Sequence, residues 1–222
     1  MFSCVALRSG RLRPFNSTPF IFVWAIAVWL SPVINANAQP AAYSACAACH
    51  GSDGGGNSAL GAPALAGQQA FYLRRQLAYF RDGLRGAAAG DSYGAQMRPF
   101  AQQLDDDATE AIVDFVTTLP APGIEALPDG DSRAGESLYN GNCGACHGGD
   151  ARGNEALNAP ALASLDAAYV QRQIRNFQSG LRGADPSDRY GRQMAMMANT
   201  IADDDALSDI LAYIASLPPA AE

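Results

Sequence analysis

The chain contains no lysine. All 15 of its basic residues are arginines, against 22 acidic residues, and its formal net charge is −7. It also has only two histidines, five cysteines and two tryptophans among 222 residues. The acidic balance argues against binding to nucleic acid or to an anionic membrane surface, because both attract clustered positive charge. The missing lysine also excludes a phosphate-binding loop, although a glycine-rich stretch follows residue 50.

Long apolar runs are absent except near the N-terminus. There, a basic stretch at residues 8–13 precedes the apolar run Phe20–Leu30, and small residues follow at Ala36-Asn37-Ala38. This order predicts a cleavable secretory signal peptide over residues 1–38 and export to the periplasm. The run is shorter than the roughly 20 residues that cross a bilayer, and retention as an uncleaved anchor is the alternative. Cleavage would remove Cys4 and both tryptophans.

Both histidines and the other four cysteines fall in two copies of one motif. Cys46-Ala47-Ala48-Cys49-His50 and Cys143-Gly144-Ala145-Cys146-His147 share the spacing Cys-x-x-Cys-His. This is the attachment site of a c-type haem, in which two thiols add to the vinyl groups and the adjacent imidazole binds the iron. We therefore predict two covalently bound haem c groups, attached at Cys46, Cys49, Cys143 and Cys146, with His50 and His147 as axial ligands.

Cysteine pairs with this spacing have three other uses in proteins. A structural zinc site would need four ligands that converge, usually in a short module, whereas these pairs lie 97 residues apart. A thioredoxin-like dithiol needs a strand–turn–helix setting, and no β-type alternation flanks either motif. Two structural disulfides are compatible with the spacing, but they give no reason for a histidine after each pair. Haem attachment accounts for the whole motif.

An internal repeat extends well beyond the two motifs. At an offset of 97 residues, Ala62-Pro63-Ala64-Leu65 recurs as Ala159-Pro160-Ala161-Leu162, and the dipeptide Arg75-Gln76 recurs as Arg172-Gln173. The offset becomes 98 only near the C-terminal end of each copy. The duplication predicts two copies of one small domain, at residues 39–120 and 133–222. Residues 121–132, which contain proline and glycine without a helical period, are predicted to be a linker.

The fold class predicted for both halves is all-α. One helix in each half has apolar residues on a single face, and these are Leu73, Leu77, Phe80 and Leu84 in the first copy and Val170, Ile174, Phe177 and Leu181 in the second. Glycines at 83 and 180 are placed to end it. A last helix should begin at the aspartates of 105–107 and 203–205, which suit a helix N-terminus, and stop at Pro120 and Pro218.

The second axial ligand of each iron follows by elimination. Both histidines are already used, and the chain without its signal offers no lysine and no free cysteine, so methionine sulfur is the remaining donor. Met97 and Met194 obey the repeat, each in the sequence Tyr-Gly-x-Gln-Met. In the second half Met196 and Met197 compete, but they align with Pro99 and Phe100 and are expected to be packing residues. We predict Met97 and Met194 as the ligands.

Residues beyond the ligands are also candidates. The backbone carbonyl of Pro63 or Pro160, which follows the glycine-rich stretch, can accept a hydrogen bond from the axial histidine. The repeated Gly-Leu-Arg-Gly places Arg85 and Arg182 where they could meet haem propionates, although arginines beyond a helix end are commonly solvated. Tyr93 and Tyr190 could reach the same groups by their hydroxyls.

The order of these motifs resembles the dihaem cytochrome c4 family over nearly all of the chain after the signal. The shared features are two Cys-x-x-Cys-His-Gly sites, each followed by Pro-x-Leu-Ala, a tyrosine- and glutamine-containing helix and a late methionine. The resemblance implies two tandem class I cytochrome c domains related by a pseudo-twofold axis, with haem propionates facing each other across the interface. It also implies His/Met ligation by His50, Met97, His147 and Met194. Cleavage after Ala38 would leave only seven residues before Cys46, which suggests a short first helix.

The expected function is electron transfer rather than catalysis. The resemblance implies a periplasmic carrier in a respiratory chain, with a quinol-oxidising complex or a dehydrogenase as donor and a terminal oxidase or reductase as acceptor; peripheral association with the membrane is compatible with it. The alternative is the dihaem subunit of a larger dehydrogenase such as a flavocytochrome. A dihaem peroxidase would need acid/base groups beside an open iron, and a chain whose histidines are all ligands offers few.

Overall fold

The computed structural model of the protein describes residues 38–123 and 129–218. Nearly all of the predicted signal peptide therefore lies outside the described residues, as do residues 124–128 of the predicted linker. None of the helices that are described is long and apolar enough to cross a membrane.

The described residues are helical in both halves of the chain. The first half contains α1 (Ser44–His50), α2 (Ala70–Asp82), α3 (Ser92–Ala101) and α4 (Asp106–Val116). The second half contains α5 (Ser132–Asn142), α6 (Gly144–His147), α7 (Ala167–Gln178), α8 (Arg189–Ala198) and α9 (Asp204–Ser216). Short 3-10 turns lie at Ala41–Tyr43, Ser58–Leu60 and Glu155–Leu157. Over 38–123 and 129–218 the β-pairing is limited to two isolated bridges, so the all-α prediction is confirmed.

The helices predicted from periodicity are present, with ends close to those expected. Helix α2 ends at Asp82, directly before Gly83, and α7 ends at Gln178. Leu84 and Leu181 therefore lie beyond the helices whose apolar face they were predicted to extend. The acidic starts are also present, because the side chains of Asp105 and Asp203 cap α4 and α9. Each such cap stabilises a helix by about 1 kcal/mol.

Helices α3 and α8 had no counterpart in the sequence prediction. Their apolar residues do recur at helical spacing, as Tyr190, Met194 and Met197 do in α8, but Gly94, Gly191 and an internal proline, Pro99, interrupt these sequences and argue against a helix. They form because a side chain closes each N-terminus. Oδ1 of Asp91 accepts a hydrogen bond from the Gly94 amide at 2.9 Å, and Oδ1 of Asp188 accepts one from Gly191 at 2.8 Å. These two helices carry Met97 and Met194.

Each half packs its own core, and the helices that form the two cores correspond to one another in the repeat. In the first half α2 packs against α3 and α4, and in the second half α7 packs against α8 and α9. The buried residues of the first core are Tyr43, Leu73, Ile112, Val113, Phe115 and Val116. The second core is formed by Leu165, Tyr169, Val170, Leu207 and Leu211, with Tyr139, Ile210 and Ile214 beside them. All described residues belong to one compact unit, in which the two halves contact each other.

The two halves differ at the helix that precedes the cysteine motif. In the second half α5 crosses α9 closely, and Gly135 lies where a side chain would overlap the backbone of Asp209. In the first half the described chain offers only the turn Ala41–Tyr43 and α1 at this place, and the ring of Tyr43 packs edge-on against Phe115 with centroids 5.0 Å apart. The second half thus gains a helix crossing that the described part of the first half lacks.

Replacement of Gly135 by alanine tests this crossing. Because the added Cβ would overlap the Asp209 carbonyl, we expect Gly135→Ala to lower the free energy of unfolding by about 1–3 kcal/mol. Gly141 lies on the same helix, is exposed, and has no atom within 4 Å of an added Cβ. Gly141→Ala should therefore leave the stability unchanged or raise it by up to about 1 kcal/mol. Denaturant unfolding of both variants measures the difference, and equal effects would contradict it.

Candidate haem sites

The two motif histidines have the same surroundings in both halves. His50 ends α1 and His147 ends α6, and their side chains are 4% and 6% exposed. Nδ1 of His50 lies 2.8 Å from the carbonyl oxygen of Pro63, and Nδ1 of His147 lies 2.8 Å from that of Pro160. Because a carbonyl oxygen can only accept, Nδ1 must carry the hydrogen and donate it. The lone pair of each imidazole is therefore on Nε2, the nitrogen left to bind a metal.

The electrostatics favour the neutral form of both imidazoles. Burial lowers the pKa of His50 and of His147, and the hydrogen bond to the proline carbonyl offsets this only in part. A neutral imidazole is the form that binds iron. The proline positions named in the sequence analysis thus lie where their carbonyl groups can orient the two histidines.

The glycine-rich stretch forms a tight loop behind each histidine. In the second half the Gly153 amide donates to the carbonyl oxygen of His147 at 2.8 Å, and the Tyr139 hydroxyl donates to that of Gly148 at 2.7 Å. Gly153 has a φ of +82°. The first half repeats both bonds, with Gly56 and His50 as one pair and Tyr43 and Gly51 as the other. The loop holds the histidine and the proline carbonyl together.

The four cysteines lie beside the histidines and form no disulfides with one another. Cys46 and Cys49 are spaced three residues apart on α1, so they lie on the same side of the helix. Cys143, Cys49 and Cys46 are half-buried, and Cys146 is exposed. Burial raises the pKa of Cys143 to about 11. No group of three or more metal-binding side chains of the zinc type occurs in the described ranges, so the zinc alternative gains no support.

A cavity of about 160 Å³ adjoins the second motif. Its wall includes His147, both cysteines of the motif and Met194, and the remaining walls are mainly aliphatic and aromatic, among them Leu162, Ile174, Phe177, Leu207 and Ile214. An apolar cavity with two thiols and an imidazole at its edge suits a flat macrocycle that is attached covalently and coordinated through its metal. The residues present therefore fit a haem c group.

The methionines differ in their exposure. Met97 on α3 and Met194 on α8 are half-buried, whereas the side chain of Met196 is 66% exposed. Met197 is 38% exposed, but it also lines the cavity of the second half. The assignment of Met194 rather than Met197 as ligand therefore stays a prediction.

Arginines from both halves meet at the interface between them. Arg85 and Arg182 are only 8% exposed, unlike the solvated arginines that commonly follow a helix end. Two further arginines lie over tyrosine rings of the opposite half. Arg172 is 4.2 Å from the ring centroid of Tyr93, and Arg75 is 4.6 Å from that of Tyr190. The two tyrosines suggested as propionate partners are thus stacked under arginines.

The interface contacts repeat with the halves exchanged, as a pseudo-twofold relation requires. Arg75 donates to the backbone carbonyl of Asn158 at 2.9 Å, and Arg172 donates to that of Gly61 at 2.6 Å. Gln76 and Gln173 join these contacts as buried acceptors and were not among the predicted site residues. The recurrence of the dipeptide Arg-Gln in both copies is the sequence signal that could have found them.

The loop behind the second histidine can be tested with a matched pair of glycines. A Cβ on Gly153 would lie 2.6 Å from the Ala161 amide and 2.7 Å from the Pro160 carbonyl carbon, at a backbone conformation that L-residues rarely adopt. We expect Gly153→Ala to lower the free energy of unfolding of the holoprotein by about 1–3 kcal/mol and to perturb the absorption of one haem. Gly149 has open space around it, so Gly149→Ala should change neither. A Gly153→Ala protein with wild-type stability would contradict the assigned role of the loop.

Comparison with known proteins identifies the family. The cytochrome c family model matches residues 37–120 and again residues 132–218. The thiosulfate dehydrogenase electron acceptor of Stutzerimonas stutzeri strain A1501 is 34% identical over 192 residues, which are 81% of this chain and 82% of the relative.

Several solved structures resemble the fold. Reduced cytochrome c4 from Pseudomonas stutzeri matches with a TM-score of 0.65 and 27% identity, over 79% of this chain and 95% of that one. Thiosulfate dehydrogenase (TsdBA) from Marichromatium purpuratum matches with a TM-score of 0.64 and 32% identity. That match covers 79% of this chain but only 37% of the dehydrogenase.

These matches confirm the prediction of two tandem cytochrome c domains with two covalently bound haem c groups. The chain therefore belongs to the cytochrome c family and has the two-domain, dihaem organisation of the cytochromes c4.

Proposed function

We propose that this dihaem electron carrier accepts electrons in the periplasm from a dehydrogenase that oxidises thiosulfate, and that it passes them on one at a time. The observation that carries the proposal is the similarity, over more than four-fifths of both chains, to a protein named as the electron acceptor of thiosulfate dehydrogenase. It is supported by the thiosulfate dehydrogenase from M. purpuratum, of which a part matches this chain. Of the two alternatives left by the sequence, a free carrier and the dihaem subunit of a larger dehydrogenase, the proposal takes the first and gives it a dehydrogenase as electron donor.

Each domain supplies the groups that a one-electron site needs. The bound haem supplies an iron that changes its charge by one. His50 and His147 would hold that iron from one side, oriented by the 2.8 Å hydrogen bonds to Pro63 and Pro160. Met97 on α3 or Met194 on α8 would supply the second ligand of its domain. Two protein ligands leave no position for a substrate, which favours electron transfer over chemistry at the metal.

The surroundings of the second cavity agree with a carrier. The ionisable residues in its wall, apart from the motif, are arginines, tyrosines and Asp188. Asp188 is engaged as the N-cap of α8, through its bond to Gly191, and is 1% exposed. A peroxidase would need a free acid or base beside an open iron. The geometry therefore favours a protein that is not itself an enzyme.

Substitution of the methionines tests the ligand assignment. We expect Met194→Ala to remove the near-infrared sulfur-to-iron charge-transfer band of one oxidised haem and to lower its reduction potential, because a thioether ligand favours the reduced iron. Met196→Ala and Met197→Ala are matched controls on the same helix and should keep the band. Loss of the band in Met197→Ala, with retention in Met194→Ala, would exchange the two assignments. Met97→His should lower the potential of the first haem in the same way.

Reduction kinetics test the partner. In stopped-flow experiments, a thiosulfate dehydrogenase turning over thiosulfate should reduce both haems of the purified protein. A carrier that serves a quinol-oxidising complex instead would be reduced faster by that complex with quinol. No reduction by the dehydrogenase at any salt concentration, with rapid reduction by the quinol-oxidising complex, rejects the thiosulfate proposal while leaving the carrier role intact.

A further inference from the structure

The side chain of Gln69 extends from the first domain to the loop behind the histidine of the second. Its Nε2 donates to the carbonyl oxygen of Arg152 at 2.6 Å, and its Oε1 accepts from the Ala161 amide at 2.9 Å. A primary carboxamide fits here because its donor and its acceptor lie side by side, as do the two backbone groups that it joins. An added Cβ on Gly153 would lie only 2.4 Å from this Nε2, so the carboxamide packs directly on the loop.

The corresponding loop of the first domain has the same backbone geometry. At the offset of 97 residues, Gly56 corresponds to Gly153. An added Cβ on Gly56 would lie 2.6 Å from the Ala64 amide nitrogen and 2.7 Å from the Pro63 carbonyl carbon, and both distances recur at Gly153. The nearest atoms at Gly56 all belong to its own loop, whereas the nearest at Gly153 is Nε2 of Gln69. The two loops therefore differ in what lies against them.

The second domain does not return the contact that Gln69 makes. Asp166 stands where the repeat places the counterpart of Gln69. Its side chain is one methylene shorter, and a carboxylate has no hydrogen to donate to a carbonyl group. Its Oδ1 instead accepts from the Tyr169 amide at 3.0 Å and caps α7. The contact through Gln69 is thus a departure from the pseudo-twofold relation.

The first loop faces a cleft of about 360 Å³, here called the first-domain cleft. Its wall includes Gly55 and Ala64 of the loop, Pro122 and Gly123 after the first domain, and Ser164 and Asp166 of the second domain. These residues are small or polar, unlike the aliphatic and aromatic residues around the cavity of the second motif. The cleft therefore suits a small polar group.

Three polar groups in this wall have no hydrogen-bonding partner within residues 38–123 and 129–218. The Gly55 carbonyl and the Ala64 amide correspond to the two groups that Gln69 joins in the second domain, and Ala64 is only 3% exposed. The third is the hydroxyl of Ser164, a fully buried residue. Leaving a buried donor or acceptor unpaired is costly, and nearly all such groups in native proteins have a partner. A group that both donates and accepts would satisfy this wall.

We propose that the first-domain cleft is a binding site for a primary carboxamide, either a small free amide or a glutamine or asparagine side chain of a bound protein. The ligand's carbonyl oxygen accepts from the Ala64 amide, and its NH₂ group donates to the Gly55 carbonyl, as Gln69 does in the second domain. The Ser164 hydroxyl supplies a further hydrogen bond. A guanidinium or ammonium group has no acceptor for the Ala64 amide, and an anion would be repelled by the Asp166 carboxylate.

Titration of the reduced holoprotein with acetamide tests the site. In two-dimensional amide NMR spectra, the resonances of Ala64 and Ser164 should shift and saturate, with a dissociation constant on the order of millimolar for so small a ligand. Acetate and N,N-dimethylacetamide are matched controls of similar shape that lack the N–H donors, and neither should give saturable shifts. Equal shifts with N,N-dimethylacetamide, or none with acetamide, would show that the cleft holds only water and would overturn the proposal.

Replacement of Asp166 by glutamine supplies the carboxamide from the chain itself. The side chain of Asp166→Gln has the length of Gln69, so it should occupy the cleft and weaken acetamide binding on the order of tenfold or more. Asp166→Asn is the matched control, since it carries the same amide on a shorter stem and still suits a helix N-cap. It should bind acetamide within about twofold of the wild-type affinity. Undiminished binding by Asp166→Gln contradicts the geometry.

A second variant covers the case in which loss of the cap prevents Asp166→Gln from folding. Ser164→Ala removes one hydrogen-bond donor with little change of volume, and it should weaken acetamide binding several-fold. An unchanged affinity in Ser164→Ala counts against the site.

The source of the carboxamide is distinguished by adding the electron-donating dehydrogenase. If it shifts the Ala64 and Ser164 resonances in the wild-type protein but not in Asp166→Gln, a side chain of the partner protein occupies the cleft. If acetamide alone shifts them, the ligand is a free amide. Both results support the site. The proposed function is tested by reduction of the haems, so its failure leaves acetamide binding unaffected and the two proposals fail separately.

Discussion

The hydrogen bond from a buried imidazole to a proline carbonyl is the interaction on which each site depends. It decides which nitrogen of the histidine carries the proton, and so which one is free to bind iron. The surrounding loop holds that carbonyl in place. Gly153 approaches the Pro160 backbone so closely that a methyl group would not fit, and its amide closes back onto His147. Without these contacts the two cysteines and the histidine of one motif would not be held around a single haem position.

The chemistry of the site was predictable because covalent haem attachment requires two cysteines and a histidine at a fixed spacing in the sequence. The spacing of Cys46, Cys49 and His50 is typical of haem attachment. The same spacing recurs from Cys143, so a chance match is excluded. Helices α2 and α7 were predictable for a related reason. Their apolar residues lie on one face, so burial of that face leaves a period in the sequence. Both patterns involve residues that are close together in the sequence, so they can be recognised without knowledge of the fold.

The missed features depend on contacts between distant residues. Helices α3 and α8 contain glycine and, in α3, proline, which argue against a helix, and they are held by caps at Asp91 and Asp188 that resemble ordinary loop aspartates in the sequence. The burial of Arg85 and Arg182 was not predictable from position after a helix, because the opposite domain provides the acceptors. Both arginines recur in the internal repeat, but a repeat does not show whether a side chain is buried or which residues it contacts.

Construction of the interface from guanidinium groups has a consequence for the environments in which the protein can operate. A buried lysine readily loses its proton, since the low-dielectric interior favours its uncharged form, and an interface built on lysine would change its charge with the acidity of the medium. Guanidinium does not deprotonate in proteins, so the positive charge between the domains is a fixed quantity. The absence of lysine thus keeps the positive charge between the domains constant in acid and in alkaline surroundings, so any change of charge there must come from neighbouring acids and hydroxyls such as that of Tyr72.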